Sequence, residues 1–417
     1  MAAPPVFRAD HAVLGAEYDN MLACIRCGLC LTSCPTYVLS LHESEGPRGR
    51  VGIARALAEG HLDITPDLLE HESNCLVCDA CSAVCPAGVK MDPLQVVLRS
   101  ALEPARGRSL RERLLRKFVF GWLFMDLGRF RLVVRLLWLY QRLGLRWFAQ
   151  HLGILQMVRM DGLDRLLPKL PASFVIPDDS TSGEGEPAAL FAGCIMSTAL
   201  ADVDRATLRV LERGGFRVTT PKTQQCCGAL HAHGGDLARA LQLAQTNLAA
   251  FSDTKGPIVV NSAGCGAMLK DYAHHLGTDA ARAFSARVHD VSEVVEEPQV
   301  VRPLHKKAVY QDACHLLHAQ RISRQPRALL KSTGVELTEI AEAGLCCGSA
   351  GIYNVTNPEQ SRQLQQRKLD NALNVDPELI VTGNPGCLLQ LRAGLAERGS
   401  SVEVKHLAEV LDEATAP

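Results

Sequence analysis

Residues 24–35 read CIRCGLCLTSCP, and residues 75–86 read CLVCDACSAVCP. Both follow C-x2-C-x2-C-x3-C-P. Three thiolates two residues apart can wrap one face of an iron–sulfur cubane inside a tight loop, and the fourth, on the turn that follows, points toward a second cluster. The spacing therefore assigns Cys24, Cys27, Cys30 and Cys85 to one [4Fe-4S] cluster, and Cys75, Cys78, Cys81 and Cys34 to another. Pro35 and Pro86 close the loops, each removing a backbone donor and fixing φ. Zinc is the competing metal, but it prefers paired C-x2-C hooks to runs of four. Disulfides are disfavoured, since thiols this close serve metals more often than bridges.

Composition sets the frame. A chain of 417 residues, 47% hydrophobic and 21% charged, has room for two or three domains with ample cores. A net charge of −1 argues against a nucleic-acid partner. Sixteen cysteines without an apolar leader point to a reducing, cytoplasmic compartment and to metal. No uncharged apolar run is long enough to span a bilayer, so any membrane contact is peripheral.

The expected fold is multidomain α+β. Residues 1–104 form a helical two-cluster ferredoxin-like domain, with a short helix before residue 22 and others near residues 51–62 and 92–103. Between the cysteine runs lies GPRGR, residues 46–50, which reads as a turn opening a helix. Arg48 and Arg50 also offer charge that offsets a buried anionic cluster or grips a partner. Residues 105–167 form a basic helical middle. Within 105–165 there are thirteen Arg and Lys against four Asp and Glu, about +9, interleaved with leucines and with Trp122, Trp138 and Trp147. Such amphipathic helices pack over the cluster domain, seat a partner through Arg129, Arg131 and Arg135, or lie on an anionic membrane. Residues 168–187, rich in Pro, Ser, Gly and acid, read as a linker.

Residues 188–300 and 301–417 repeat one another. Cys194 matches Cys314, Cys226 matches Cys346 and Cys227 matches Cys347, each 120 residues on, and Cys265 matches Cys387 at 122. Buried strands lead into the cysteines at 189–193, 258–261, 308–313 and 379–382, with helices at 199–213, 236–251 and 359–372. Strand alternating with helix predicts two related parallel sheets, with sites beyond the carboxyl ends of the strands. Each half thus offers four thiols for an iron–sulfur cluster, a structural zinc, or no metal at all. Gly228 and Gly348 allow close backbone approach, and His231, His233, His315 and His318 are substitute ligands. Nothing matches a dinucleotide fingerprint, a P-loop or a nucleophile elbow. The residues alone describe an electron wire without hydride chemistry and without catalytic side chains of its own.

The order of a doubled cysteine run, an Arg-rich middle and two Cys-Cys-Gly domains resembles the glycolate oxidase iron–sulfur subunits. These belong with the small subunit of anaerobic glycerol-3-phosphate dehydrogenase, lactate-utilisation proteins and heterodisulfide reductase subunits. Residues 24–37, 46–50, 262–267 (SAGCGA) and 345–353 (LCCGSAGIY) carry the resemblance. It implies an electron-transfer subunit that takes electrons from a flavoprotein oxidising glycolate to glyoxylate and passes them toward a quinone-type acceptor, at the inner face of the cell membrane. The alternatives it carries are lactate or glycerol 3-phosphate as substrate, or thiol–disulfide reduction. Against the last, Met268 and Gln390 stand where heterodisulfide reductase repeats place a fifth thiol.

Overall fold

The computed structural model describes residues 11–157 and 161–417. The expected leading segment before residue 11 and Arg159 of the basic middle lie outside them.

The first domain is a small helical shell around two loops. Its core is Leu14, Met21, Val51, Leu57, Leu68, Leu94, Leu98 and Leu102. The helix Pro47–Ala58 starts four residues earlier than the apolar pattern indicates, because Pro47 occupies the first helical position, where its missing N–H costs nothing. A further helix, Pro66–Ser73, is capped by Thr65, whose hydroxyl accepts the Leu68 N–H. The helix Met91–Leu102 is buried nearly all round. Leu94 and Leu98 serve the first core while Val96 belongs to the core of the next domain, so this helix joins the two.

The basic middle comprises helices Leu110–Phe118, Leu127–Arg142, Leu145–His151, Ile154–Met157 and Asp161–Leu166, with a wider turn at Val119–Leu123. Leu127, Phe130 and Val134 pack inward. Leu132, Leu136 and Leu139 on the other side are exposed. No helix among the described residues is long and apolar enough to cross a membrane.

Residues 168–187 are docked rather than free. The Val175 N–H donates to Ser197 O, Leu170 is buried, and β1 (Thr181–Ser182) pairs antiparallel with β3 (Phe216–Thr219). β2 (Glu186–Leu190), β3, β4 (Ile258–Val260) and β5 (Val288–Asp290) form a parallel sheet ordered β1-β3-β2-β4-β5. β6 (Lys307–Tyr310), β7 (Glu336–Thr338), β8 (Leu379–Thr382) and β9 (Glu403–His406) form a second parallel sheet ordered β7-β6-β8-β9. Apart from β1, the two orders are the same. The halves share one core, in which Leu190, Val210, Leu211 and Val259 meet Tyr310, Leu330, Val381 and Val410.

Candidate metal centres

The two cysteine loops fold alike. Arg26 and Gly28 in the first, and Val77 and Asp79 in the second, all take positive φ. Three of these are not glycine, so the conformation is imposed against local preference. Both loops thereby turn their thiols inward. Cys27 is exposed, Cys24, Cys30, Cys81 and Cys85 are half-buried, and Cys34, Cys75 and Cys78 are buried.

Cys30 is pushed up by burial and, among its neighbours, feels Cys24 and Cys85, so the fourth cysteine of the second run reaches back to the first loop. Cys34 crosses the other way. An enclosed pocket is lined by Cys34, Cys75, Cys78 and Cys81 together with Pro35, Arg50, Asp79 and Met91. Four thiols framing one cavity are the donor set a cubane needs. Burial pushes the Cys75, Cys78 and Cys81 thiols up, so in the absence of metal they are protonated, and metal binding must release those protons.

Positive charge is built into this pocket. The Arg50 guanidinium, 1% exposed, donates to Glu45 Oε2 at 2.8 Å, Thr36 Oγ1 at 3.1 Å and His71 O at 3.2 Å, and its Nη1 lies 4.0 Å from Cys34 Sγ. Burial alone would push it down; Cys75, Glu72, Cys34 and Glu45 together hold it above its ordinary value. Glu45 is also held by His71 Nδ1 at 2.7 Å and Asn74 Nδ2 at 2.9 Å. Arg99 donates to Cys75 O and, across the domain boundary, to His233 O at 2.7 Å. Arg48 is half-exposed, paired with Glu43 at 2.6 Å beside the first loop. Nothing local in the sequence marked Arg99, which is one arginine on an apolar helix.

The repeat brings each cysteine set together beyond the strand ends. In the first half Cys194 Sγ is 3.9 Å from Cys226 Sγ, and Cys227 lies against Cys226 and Cys265. Asn247 Nδ2 donates to Cys226 O at 3.0 Å, and Tyr272 OH to Cys227 O at 2.7 Å. In the second half Cys346 lies against Cys314 and Cys347, and Cys347 Sγ is 3.2 Å from Cys387 Sγ. Gly348 has φ +85, and a Cβ there would stand 2.5 Å from Ser361 O; its counterpart Gly228 has φ +87. The second set also abuts the dicluster pocket. Burial, then Cys314 and Cys81, push Cys78 up, and Cys78, Cys314 and Cys346 share one apolar cluster with Leu76 and Tyr353.

The four histidines divide. His231 Nε2 contacts Phe120 O at 2.8 Å and His318 Nε2 contacts Gly344 O at 2.9 Å, so both serve the backbone. His233 lies 3.5 Å from Asp92, and His315 Nδ1 lies 3.6 Å from Cys314 Sγ. Of the three arginines expected on a docking face, Arg135 donates to Ala172 O at 2.7 Å and stacks on Phe174 and Trp138, while Arg129 stacks on Trp122. Arg129 and Arg135 remain exposed, together with Leu132, Leu136, Leu139, Trp147 and Phe148.

Two loops of thiols around a helical shell, joined to a doubled parallel sheet with cysteines at its strand ends, define an iron–sulfur electron-transfer protein. Residues 23–89 match the family model of a 4Fe-4S dicluster domain, and residues 188–270 and 308–392 match that of a cysteine-rich domain. Residues 111–169 match the linker region of the glycolate oxidase iron-sulfur subunit. The probable glycolate oxidase iron-sulfur subunit of Bacillus subtilis is 38% identical over 95% of both chains. The glycolate oxidase iron-sulfur subunit of Escherichia coli is 32% identical over the same shares. Lactate utilization protein A of Geobacillus kaustophilus is 29% identical over 54% of this chain and 97% of its own. The chain belongs to the glycolate oxidase iron–sulfur subunit family.

Proposed function

We propose that the chain is the electron-transfer subunit of a glycolate-oxidising complex. A flavoprotein subunit takes two electrons and two protons from glycolate, giving glyoxylate, and this chain relays the electrons singly toward a quinone-type acceptor at the inner face of the cell membrane. Cys24, Cys27, Cys30 and Cys85 hold one [4Fe-4S] cluster, and Cys34, Cys75, Cys78 and Cys81 the other. Cys314, Cys346, Cys347 and Cys387 hold a further cluster or metal, and Cys194, Cys226, Cys227 and Cys265 are its pseudo-symmetric counterpart.

The observation that carries this reading is the succession of thiol sets. Cys30 is among the neighbours that act on Cys81, and Cys314 and Cys346 lie beside Cys78. Bound clusters supply one-electron carriers. The chain's own residues keep water from the inner set and place Arg50 and Arg99 where they offset added negative charge in a low dielectric. Leu132, Leu136, Leu139, Trp147 and Phe148, with the basic residues around them, form the docking face for the membrane or the flavoprotein.

The test is reconstitution. Purified, cluster-loaded chain shows no glycolate-dependent dye reduction until the flavoprotein is added. Cys347→Ser then abolishes reduction of the acceptor and leaves the dicluster signals intact, whereas Cys227→Ser costs stability more than electron flow. Turnover by the isolated chain, or normal transfer by Cys347→Ser, refutes the reading.

A further inference from the structure

Where the three parts of the protein meet there is a second kind of donor set, without thiols. Asp92 comes from the first turn of the helix Met91–Leu102 in the dicluster domain. His233 ends the short helix Ala229–His233 of the first half, and His315 opens the turn His315–Ala319 of the second. Each offers one ligand atom, and the three atoms lie within 4.8 Å of one another. Asp92 Oδ1 is 3.5 Å from His233 Nε2, and the rings of His233 and His315 stack with centroids 5.7 Å apart.

We propose that Asp92, His233 and His315 bind a divalent transition-metal ion that clamps the dicluster domain to both halves of the repeat. Asp92 is only 5% exposed, and a buried carboxylate demands a cation. The contact of His233 Nε2 with Asp92 at 3.5 Å answers part of that demand, but His315 Nε2 is buried and has no hydrogen-bond partner. A buried ring nitrogen left unpaired beside a carboxylate and a second imidazole is what a metal would satisfy. Two imidazoles and one carboxylate suit zinc and its neighbours, with ligand bonds of about 2.0–2.2 Å. Tetrahedral ligand atoms then stand roughly 3.3 Å apart, so closure asks for side-chain rotations of about an ångström. A fourth position is left for water. Because each ligand comes from a different part of the chain, the ion fixes how Cys78 faces Cys314, which no single domain can do.

The test uses the full, iron-loaded chain, given one equivalent of zinc and desalted. Elemental analysis returns about one retained zinc, and X-ray absorption shows a nitrogen and oxygen shell at about 2.0–2.1 Å without sulfur at about 2.3 Å. Asp92→Asn and His233→Ala each weaken zinc retention by about ten-fold or more while keeping cluster iron. Should His233→Ala lose its clusters, the isosteric Asp92→Asn and the wild-type spectrum decide the matter alone. Failure to retain zinc, a sulfur shell, or equal retention by Asp92→Asn overturns the proposal.

Discussion

Replacing Arg50 by Met removes a positive charge sealed against the pocket of Cys34, Cys75, Cys78 and Cys81. Two magnitudes follow. The first is stability: Glu45, 5% exposed, keeps only His71 and Asn74, and breaking a buried pair on one side costs about 3–5 kcal/mol. The second is electrostatic. A unit charge near 4 Å acts with about 4 kcal/mol at an effective dielectric of about 20, and Arg50 Nη1 is 4.0 Å from Cys34 Sγ. At about 59 mV for each 1.4 kcal/mol in a one-electron couple, that is roughly 170 mV as an upper figure. Charge spread beyond the sulfur lies farther away, so a shift of about 50–150 mV is expected. A cation favours the reduced, more negative form, so its loss lowers the midpoint potential. EPR-monitored redox titration reads the potential, and iron release on heating reads the stability. Pairing the change with Glu45→Gln removes both charges, so most of the stability and part of the potential should return. If Arg50→Met melts with the wild type and its potential moves by less than about 20 mV, the electrostatic account of the pocket is wrong.

His406 is fully buried, and burial pushes it down to about 4 while its Nδ1 accepts the Ala408 N–H at 3.1 Å. Its contribution, about 3 kcal/mol, is present above the unfolded value near pH 6.5 and is lost as pH falls through 4, so His406→Gln should flatten the acid limb of the unfolding profile; an unchanged limb counts against it. Gly49→Ala would set a Cβ 2.0 Å from Glu43 O and displace the turn that carries Glu45, whereas at Gly52 nothing lies within 4 Å. Iron should therefore leak from the Gly49→Ala protein and not from Gly52→Ala, and equal iron retention refutes this role for Gly49. Leu132, Leu136 and Leu139 are 57%, 57% and 42% exposed, so changing all three to Ser should leave thermal stability nearly unchanged yet abolish co-sedimentation with anionic vesicles or capture by the flavoprotein. Retention of both binding activities removes this face from the docking model.

Much of the site was legible because thiol chemistry is local. Cys24 to Cys34 and Cys75 to Cys85 declare themselves by spacing, and the offset of 120 residues carries the repeat with its strand ends. What composition could not reveal was backbone pairing. Residues 168–187 look like a linker because Pro, Ser and Gly dominate, yet Thr181 and Ser182 find a free strand edge on β3. The immediate surroundings of the arginines on the expected docking face were hidden for a similar reason. Charge counting singled out the arginines, and Arg129 and Arg135 are exposed, but it could not show that Arg135 also donates to Ala172 O and lies over two aromatic rings beside exposed leucines. Arg99, and the meeting of Asp92 with His233 and His315, are tertiary facts with no sequence period to announce them.

The two cysteine sets of the repeat are equal in sequence and unequal in surroundings, and the inequality bears on function. Around Cys226 and Cys227 the backbone is tied down by Asn247 and Tyr272, themselves joined at 3.1 Å, inside a core with Val96, Phe191 and Phe251. Those contacts would hold the loop in shape whether or not its thiols bind metal. Around Cys346 the neighbours are Cys78, Leu76 and Tyr353, so the second set is packed against the dicluster pocket itself. The two halves share strand order β3-β2-β4-β5 and β7-β6-β8-β9, and among the described residues Cys78 of the dicluster pocket shares an apolar cluster with Cys314 and Cys346 of the second half. On the proposed function, electron transfer runs through Cys314, Cys346, Cys347 and Cys387, while Cys194, Cys226, Cys227 and Cys265 serve the fold. The junction at Asp92, His233 and His315 belongs to the same asymmetry. It takes one residue from each half and one from the dicluster domain, and an ion bound there, as proposed, holds Cys78 toward Cys314.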